Sequence, residues 1–206
     1  MTQIFLNYRT EDEKFGVALL DEMLSQRFGT AAVFLAAKSI DLGVPWEQAM
    51  FDAVTGSDVL LAIIGRNWLT ATNEHGERRL DDPADFVRRE IQLALEHGKQ
   101  VIPVRLDVPR VRAEHLPDDL KALTTLQDIE VRFRNRELDV NRLADKLREQ
   151  VPGLRPAKQQ PTSTFSVNAT SVGKVVQAEH IDRVVQADHV DKLWQAEHMT
   201  FGDFHA

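Results

Sequence analysis

Residues 57–65 read Ser57-Asp58-Val59-Leu60-Leu61-Ala62-Ile63-Ile64-Gly65, an apolar run of strand length opened by Ser-Asp and closed by glycine. The run does not alternate, so both of its faces call for burial. A short buried helix gives the same run; the closing Gly65 and the absence of a polar stripe favour a strand. A strand covered on both faces belongs to a parallel sheet with helices above and below it.

The flanking segments fit that sheet. Residues 4–8 form an apolar candidate for a first strand, followed by Arg9, Thr10 and the acidic run 11–13. Thr10 or Asp12 is placed to cap a helix reaching to about residue 26, with Phe15, Ala18, Leu19 and Met23 at helical spacing and Gly29 at its end. Residues 31–35 read as a second strand, 37–45 as a loop holding Ser39, Asp41, Gly43 and Pro45, and 46–55 as a second helix. The polar stretch 66–82 follows the central strand, and a loop of that length in a compact domain is usually functional or mobile. Asp82 caps and Pro83 opens a third helix that runs to about residue 96 and stops at His97-Gly98. Residues 100–106 read as a fourth strand, whose Pro103 calls for a position near an edge or a bulge. A short helix over 116–123, a fifth strand over 127–133 and a closing helix over 139–150 complete the pattern. Right-handed crossovers then predict an α/β fold, a five-stranded parallel doubly wound sheet in the flavodoxin-like order 2-1-3-4-5. Ligands in such sheets sit beyond the carboxyl ends of the strands, where Tyr8-Arg9 and the 37–45 and 66–82 loops converge.

Composition narrows the function. The 206 residues are 43% apolar, enough for a sizeable core. A net charge of −7 argues against general binding to nucleic acid or anionic membrane. Cysteine is absent, which excludes disulfides, thiolate zinc sites and a thiol nucleophile and fits a reducing, cytoplasmic setting. Neither a signal peptide nor a membrane span is expected from the N-terminal residues or from any apolar run.

Past residue 151 the character changes. Residues 152–165 have a linker's Pro, Gly and polar composition, and 166–206 carry a nine-residue repeat. Residues 175–183, 184–192 and 193–201 share a Gln-Ala-acidic-His core, with Gln177, Gln186 and Gln195 and with His180, His189 and His198 in register; residues 166–174 are a degenerate copy. The Val-Val-Gln-Ala segments suit a β-type unit that stacks with copies from other chains, against the alternative of a partly helical or disordered tail. Three evenly spaced histidines raise metal binding, yet no thiolate or close His pair supports a site, and none is expected.

Several stretches in order resemble the TIR (Toll/interleukin-1 receptor) domain. Ile4-Phe5-Leu6-Asn7-Tyr8-Arg9 resembles its first box, Val33-Phe34-Leu35 with residues 38–46 its second strand and BB loop, and Ser57–Gly65 with Asn67-Trp68-Leu69 its third strand. Residues 86–95 resemble its αC helix and Ile102-Pro103-Val104 its fourth strand. The likeness covers roughly residues 1–150 and is nearest to bacterial members. It implies cleavage of the nicotinamide–ribose bond of NAD⁺ as substrate, with no cofactor, by one αC glutamate that matches Glu90. Tyr8 and Arg9 match pocket positions, with Arg9 suited to the diphosphate, and Ser39 and Gly43 match the BB loop. Trp46 is placed to stack on a ring or to pack. By its neighbours alone, Arg88, Arg89, Gln92 and Glu96, Glu90 reads as an exposed, ion-paired glutamate. Two positions depart from the family pattern: Phe86 stands where NAD-cleaving members usually carry Trp, and Ala36 where an acidic residue is frequent.

The resemblance implies an enzyme of bacterial immune defence or cell suicide, switched on by self-association through the BB loop. The tail is similar, more loosely, to amyloid-signalling (RHIM-like) motifs, with Ala178, Ala187 and Ala196 departing from that core. It implies homotypic assembly, with an upstream sensor carrying a matching repeat as a further partner. A non-catalytic scaffold that recruits partners through the same loop is the alternative.

Overall fold

The computed structural model describes residues 4–157. The linker beyond them and the repeat tail expected over 166–206 lie outside the described residues. The sheet has five parallel strands in the order β2-β1-β3-β4-β5. In chain order the elements are β1 (Ile4–Asn7), α1 (Thr10–Phe28), β2 (Val33–Phe34), α2 (Ala36–Ser39), α3 (Trp46–Gly56), β3 (Val59–Ile64), α4 (Phe86–Glu96), β4 (Gln100–Leu106), β5 (Ile129–Val131) and α5 (Arg136–Gln150), with 3₁₀ turns between several of them.

The missing alternation in the opening run has a direct cause. Val59, Leu61 and Ile63 of β3 face the layer of α1 and α5, where they join Ile4, Leu6, Leu20, Leu24, Val140, Leu143 and Leu147. Leu60, Ala62 and Ile64 face α3 and α4, with Phe5, Phe34, Val54, Val87 and Ile91. All six β3 residues are buried. Burial of each such side chain stabilises the fold by about 1.5–3 kcal/mol, which makes this strand the spine of both cores.

Several boundaries shift from their expected places. Neither Thr10 nor Asp12 caps α1: it starts without a side-chain cap, and an Asp12 carboxylate oxygen instead accepts from Asn67 N at 2.7 Å. The second strand shrinks to two residues because residues 30–32 wind into a 3₁₀ turn. The loop after it contains the short α2. The third helix begins at Phe86, not at Pro83, because Asp82 closes a local turn by accepting from Ala84 N at 2.8 Å, and Asp85 becomes the cap by accepting from Arg88 N at 3.1 Å. The segment expected as a short helix over 116–123 is a 3₁₀ helix, Asp118–Thr125. Pro103 is paired with β3 opposite Ala62 and sits one residue before the pairing with β5 begins at Val104, so it lies where β4 has a neighbour on one side only. Past α5, Leu154 packs into the core and Ala157 N donates to Arg27 O at 2.6 Å, so the packed chain runs beyond the boundary expected at residue 151.

Gly65 ends β3 where α1 passes close by. A Cβ there would lie 2.0 Å from Glu13 Cγ and 2.5 Å from Asp12 Oδ2. Gly65→Ala is expected to lose about 1–3 kcal/mol through overpacking, read as a lower urea midpoint at unchanged slope. A midpoint equal to that of the native chain would contradict this packing.

Candidate active site

The carboxyl end of β1 meets the start of α4 in a cleft of about 260 Å³. Residue alternation along β1 sends Ile4 and Leu6 toward α1 and α5, so Phe5 and Asn7 point toward α4. Along α4, Val87, Glu90, Ile91 and Ala94 are the buried residues, spaced three and four apart, so Glu90 lies on the apolar stripe of its helix. Only 5% of Glu90 is exposed. This contradicts the exposed, ion-paired glutamate that its flanking charges suggest: Arg88 turns away to Asp119 at 2.8 Å and Arg89 to Glu47 at 2.8 Å.

Asn7 Nδ2 donates to Glu90 Oε2 at 2.7 Å and to Val87 O at 3.1 Å. Both amide hydrogens of Asn7 are therefore committed to α4. Burial pushes the Glu90 carboxyl up from its ordinary 4.5 to about 8; the Asn7 hydrogen bond opposes the rise and the nearby Asp85 charge adds to it. At neutral pH the resting carboxyl is mostly protonated. Displacement of this kind, in a cleft and beside a specific partner, makes Glu90 the candidate functional group of the cleft.

Arg9 is held by a second buried contact between the same two elements. Its Nη1 and Nη2 donate to the two oxygens of Asp85, each at 2.9 Å, and both side chains are 1% exposed. Arg9 lines the cleft, but its terminal nitrogens are spent on Asp85 and do not face a diphosphate. The aromatic wall is made by Trp46 and Phe86, with ring centroids 4.6 Å apart, and Phe51 backs Phe86 at 6.3 Å. The Arg89 guanidinium covers the Phe51 ring at 4.4 Å.

Of the residues expected from sequence, Tyr8, Arg9, Trp46, Phe86 and Glu90 line the cleft, together with Ala36. Ser39 and Gly43 are not among its lining residues. The Ser39 hydroxyl accepts from Leu35 N at 3.1 Å and fixes the turn of α2. Gly43 has φ +82° in the exposed turn closed by Val44 N to Asp41 O, a backbone angle that glycine adopts without strain. Sequence reasoning missed Asn7, Asp85 and Arg79 as site residues. Asn7 had a usable signal, a polar residue on a strand otherwise buried on both faces; Arg79 had none.

A larger groove of about 670 Å³ runs along β4, β5 and α5. Its buried acid, Asp139, is fully paired: it accepts from Arg132 N, Nε and Nη2 at 3.0, 2.9 and 2.8 Å, which holds its carboxyl below the usual range. Asp139 is therefore a structural acid, committed to Arg132. Among the described residues no cluster of His, Asp and Glu is arranged to hold a metal, and no helix is long and apolar enough to cross a membrane.

A parallel doubly wound sheet with a buried, strongly shifted glutamate at its open end defines an α/β protein with a cleft at the β1–α4 junction. The family model described as the TIR domain matches residues 4–147, and the chain belongs to that family. No curated protein matches it. Similar solved structures include the TIR domains of the activated Roq1 resistosome directly recognizing the pathogen effector XopQ, at 15% identity and TM-score 0.49, covering 72% of this chain and 98% of that one. Another is the TIR domain of the Toll-related receptor TRR-2 from the lower metazoan Hydra magnipapillata, at 15% identity and TM-score 0.47, covering 72% and 99%.

Between pH 4.5 and about 8 the unfolded chain has released the Glu90 proton while the folded chain retains it, so folding stability falls as pH rises through that window. From pH 4.5 to pH 7 the loss attributable to Glu90 is about 3 kcal/mol. Glu90→Gln keeps the acceptor for Asn7 and is expected to remove that fall, giving a variant more stable than the native chain at pH 7 by urea denaturation. Parallel stability–pH curves for the two proteins would contradict the buried, neutral carboxyl.

Proposed function

We propose that this TIR protein cleaves the nicotinamide–ribose bond of NAD⁺, with Glu90 as the catalytic residue. The observation that carries the reading is the buried Glu90 carboxyl beneath an aromatic wall at the open end of the sheet. When the C1′–N1 bond breaks, its electron pair returns to the pyridinium ring and nicotinamide leaves neutral, so departure needs no general acid. The ribose is left with oxocarbenium character, which an adjacent carboxylate stabilises by charge in a water-poor site. Water then forms the new C1′–O bond and gives up a proton, yielding ADP-ribose, nicotinamide and H⁺. Glu90 must be ionised for this step. The positive nicotinamide ring of the incoming substrate favours that ionisation.

The cleft is smaller than the usual range for a pocket that encloses a whole ligand, about 300–1,000 Å³. It suits the nicotinamide riboside half and leaves the rest of the dinucleotide to another wall. Leu42 is fully exposed and Val44 and Trp46 about half exposed, on the loop that leads to the cleft. A second chain's loop supplying that wall makes assembly the switch, and the repeat tail, as the separate module expected over 166–206, raises the local concentration of TIR domains. In this reading the protein works in the cytoplasm in bacterial defence, with a repeat-bearing sensor upstream. The same exposed loop also favours a second reading, a scaffold that binds its partners without turnover.

Incubating concentrated protein with NAD⁺ and measuring nicotinamide separates the two. Release is expected, with kcat/KM rising about tenfold per pH unit up to pH 7 and levelling above about 8. Glu90→Gln is expected to reduce release by about 10²–10³-fold while remaining folded. Turnover unchanged by Glu90→Gln would sink the assignment; no turnover by the native chain would leave the scaffold.

A further inference from the structure

Arg79 lies in the 3₁₀ turn Arg79–Asp81 before α4 and lines the cleft. Its Nε sits 3.3 Å from Asp85 Oδ1, and its Nη1 sits 3.2 Å from Glu11 Oε2. Asp85 thus faces two guanidiniums, Arg9 buried behind it and Arg79 in front. One carboxylate cannot neutralise both, and among the described residues the remaining positive charge is met by Glu11. That side chain is 66% exposed, against 32% for Arg79, so the Glu11–Arg79 pair is a surface contact that a stronger anion displaces readily. The N-terminus of α4 is closed to such an anion, because Asp85 caps it.

We propose that Arg79, rather than Arg9, receives the diphosphate of the dinucleotide, and that Glu11 occupies the place of that anion until it arrives. The proposal rests on the NAD⁺ reading of the same cleft. Asp85 lies beside Nε of Arg79 and Glu11 accepts from Nη1, so displacing Glu11 frees terminal N–H donors of the guanidinium for a phosphate. A diphosphate carries two negative charges against one on Glu11, so exchange is favourable. The arrangement selects dinucleotides over nucleosides: nicotinamide riboside gains nothing from Arg79.

Calorimetric titration of the full chain with ADP-ribose and, separately, with nicotinamide riboside tests this without relying on turnover. Arg79→Gln is expected to weaken ADP-ribose binding at least tenfold and to leave nicotinamide riboside unchanged. Glu11→Gln is expected to tighten ADP-ribose binding several-fold, and that gain should vanish in the Glu11→Gln/Arg79→Gln double variant, a coupling that a merely structural Arg79 would not produce. Arg79→Lys, which keeps the charge, should recover part of the affinity if the Gln variant proves unstable. Equal ADP-ribose affinity in the native and Arg79→Gln chains, or no ADP-ribose binding by the native chain, overturns the assignment. Arg79-dependent binding without nicotinamide release sustains it while removing the hydrolysis reading; nicotinamide release with Arg79-independent binding does the reverse.

Discussion

One amide group ties the end of β1 to the middle of α4. Asn7 spends both of its donor hydrogens on that helix, one on the Val87 carbonyl and one on the Glu90 carboxyl. Because Glu90 lies on the buried stripe, its charge cannot be solvated, and the folded chain holds it as an acid at neutral pH. A protein interior accepts such a group only at a cost in stability. The rest of the sheet supplies the margin: β3 fills both cores and fixes the strand from which Asn7 projects.

Two residues further on, Arg9 repeats the tie in ionic form. Its bidentate pair with Asp85 joins the strand end to the helix cap, so the contacts Asn7–Glu90 and Arg9–Asp85 together set the register of α4 over β1. Removing one member of such a buried pair strands the other charge, which makes the junction intolerant of change. The same economy explains the division of labour among the arginines. Arg9 is structural because it is enclosed; Arg79, at the rim, has its outer edge against a replaceable carboxylate.

The sheet and its order were legible because the run 57–65 leaves few alternatives: a strand with six consecutive buried residues needs cover on both faces. Glu90 was legible as a site residue only through the family resemblance, although its three-residue spacing from Val87 and four-residue spacing to Ala94 put it on the apolar face of α4. Its charged neighbours masked that spacing. Helix caps were misplaced for a related reason. Asp82 and Asp85 are equally good caps by composition; Asp82 closes a local turn onto Ala84 N, while Asp85 caps the helix and also pairs with Arg9 from the end of β1, a contact that no local pattern encodes. The fate of Ser39 was local: its hydroxyl closes its own turn instead of reaching the cleft.

The chemistry of the cleft depends on the protonation state of a single side chain. Labelling glutamate at the side-chain carboxyl carbon and following the Glu90 resonance by ¹³C NMR across a pH series reads that state directly. A midpoint at about 8 is the predicted result. A midpoint near the ordinary 4.5 would show a solvated, ionised glutamate and contradict the buried carboxyl on which the site is built.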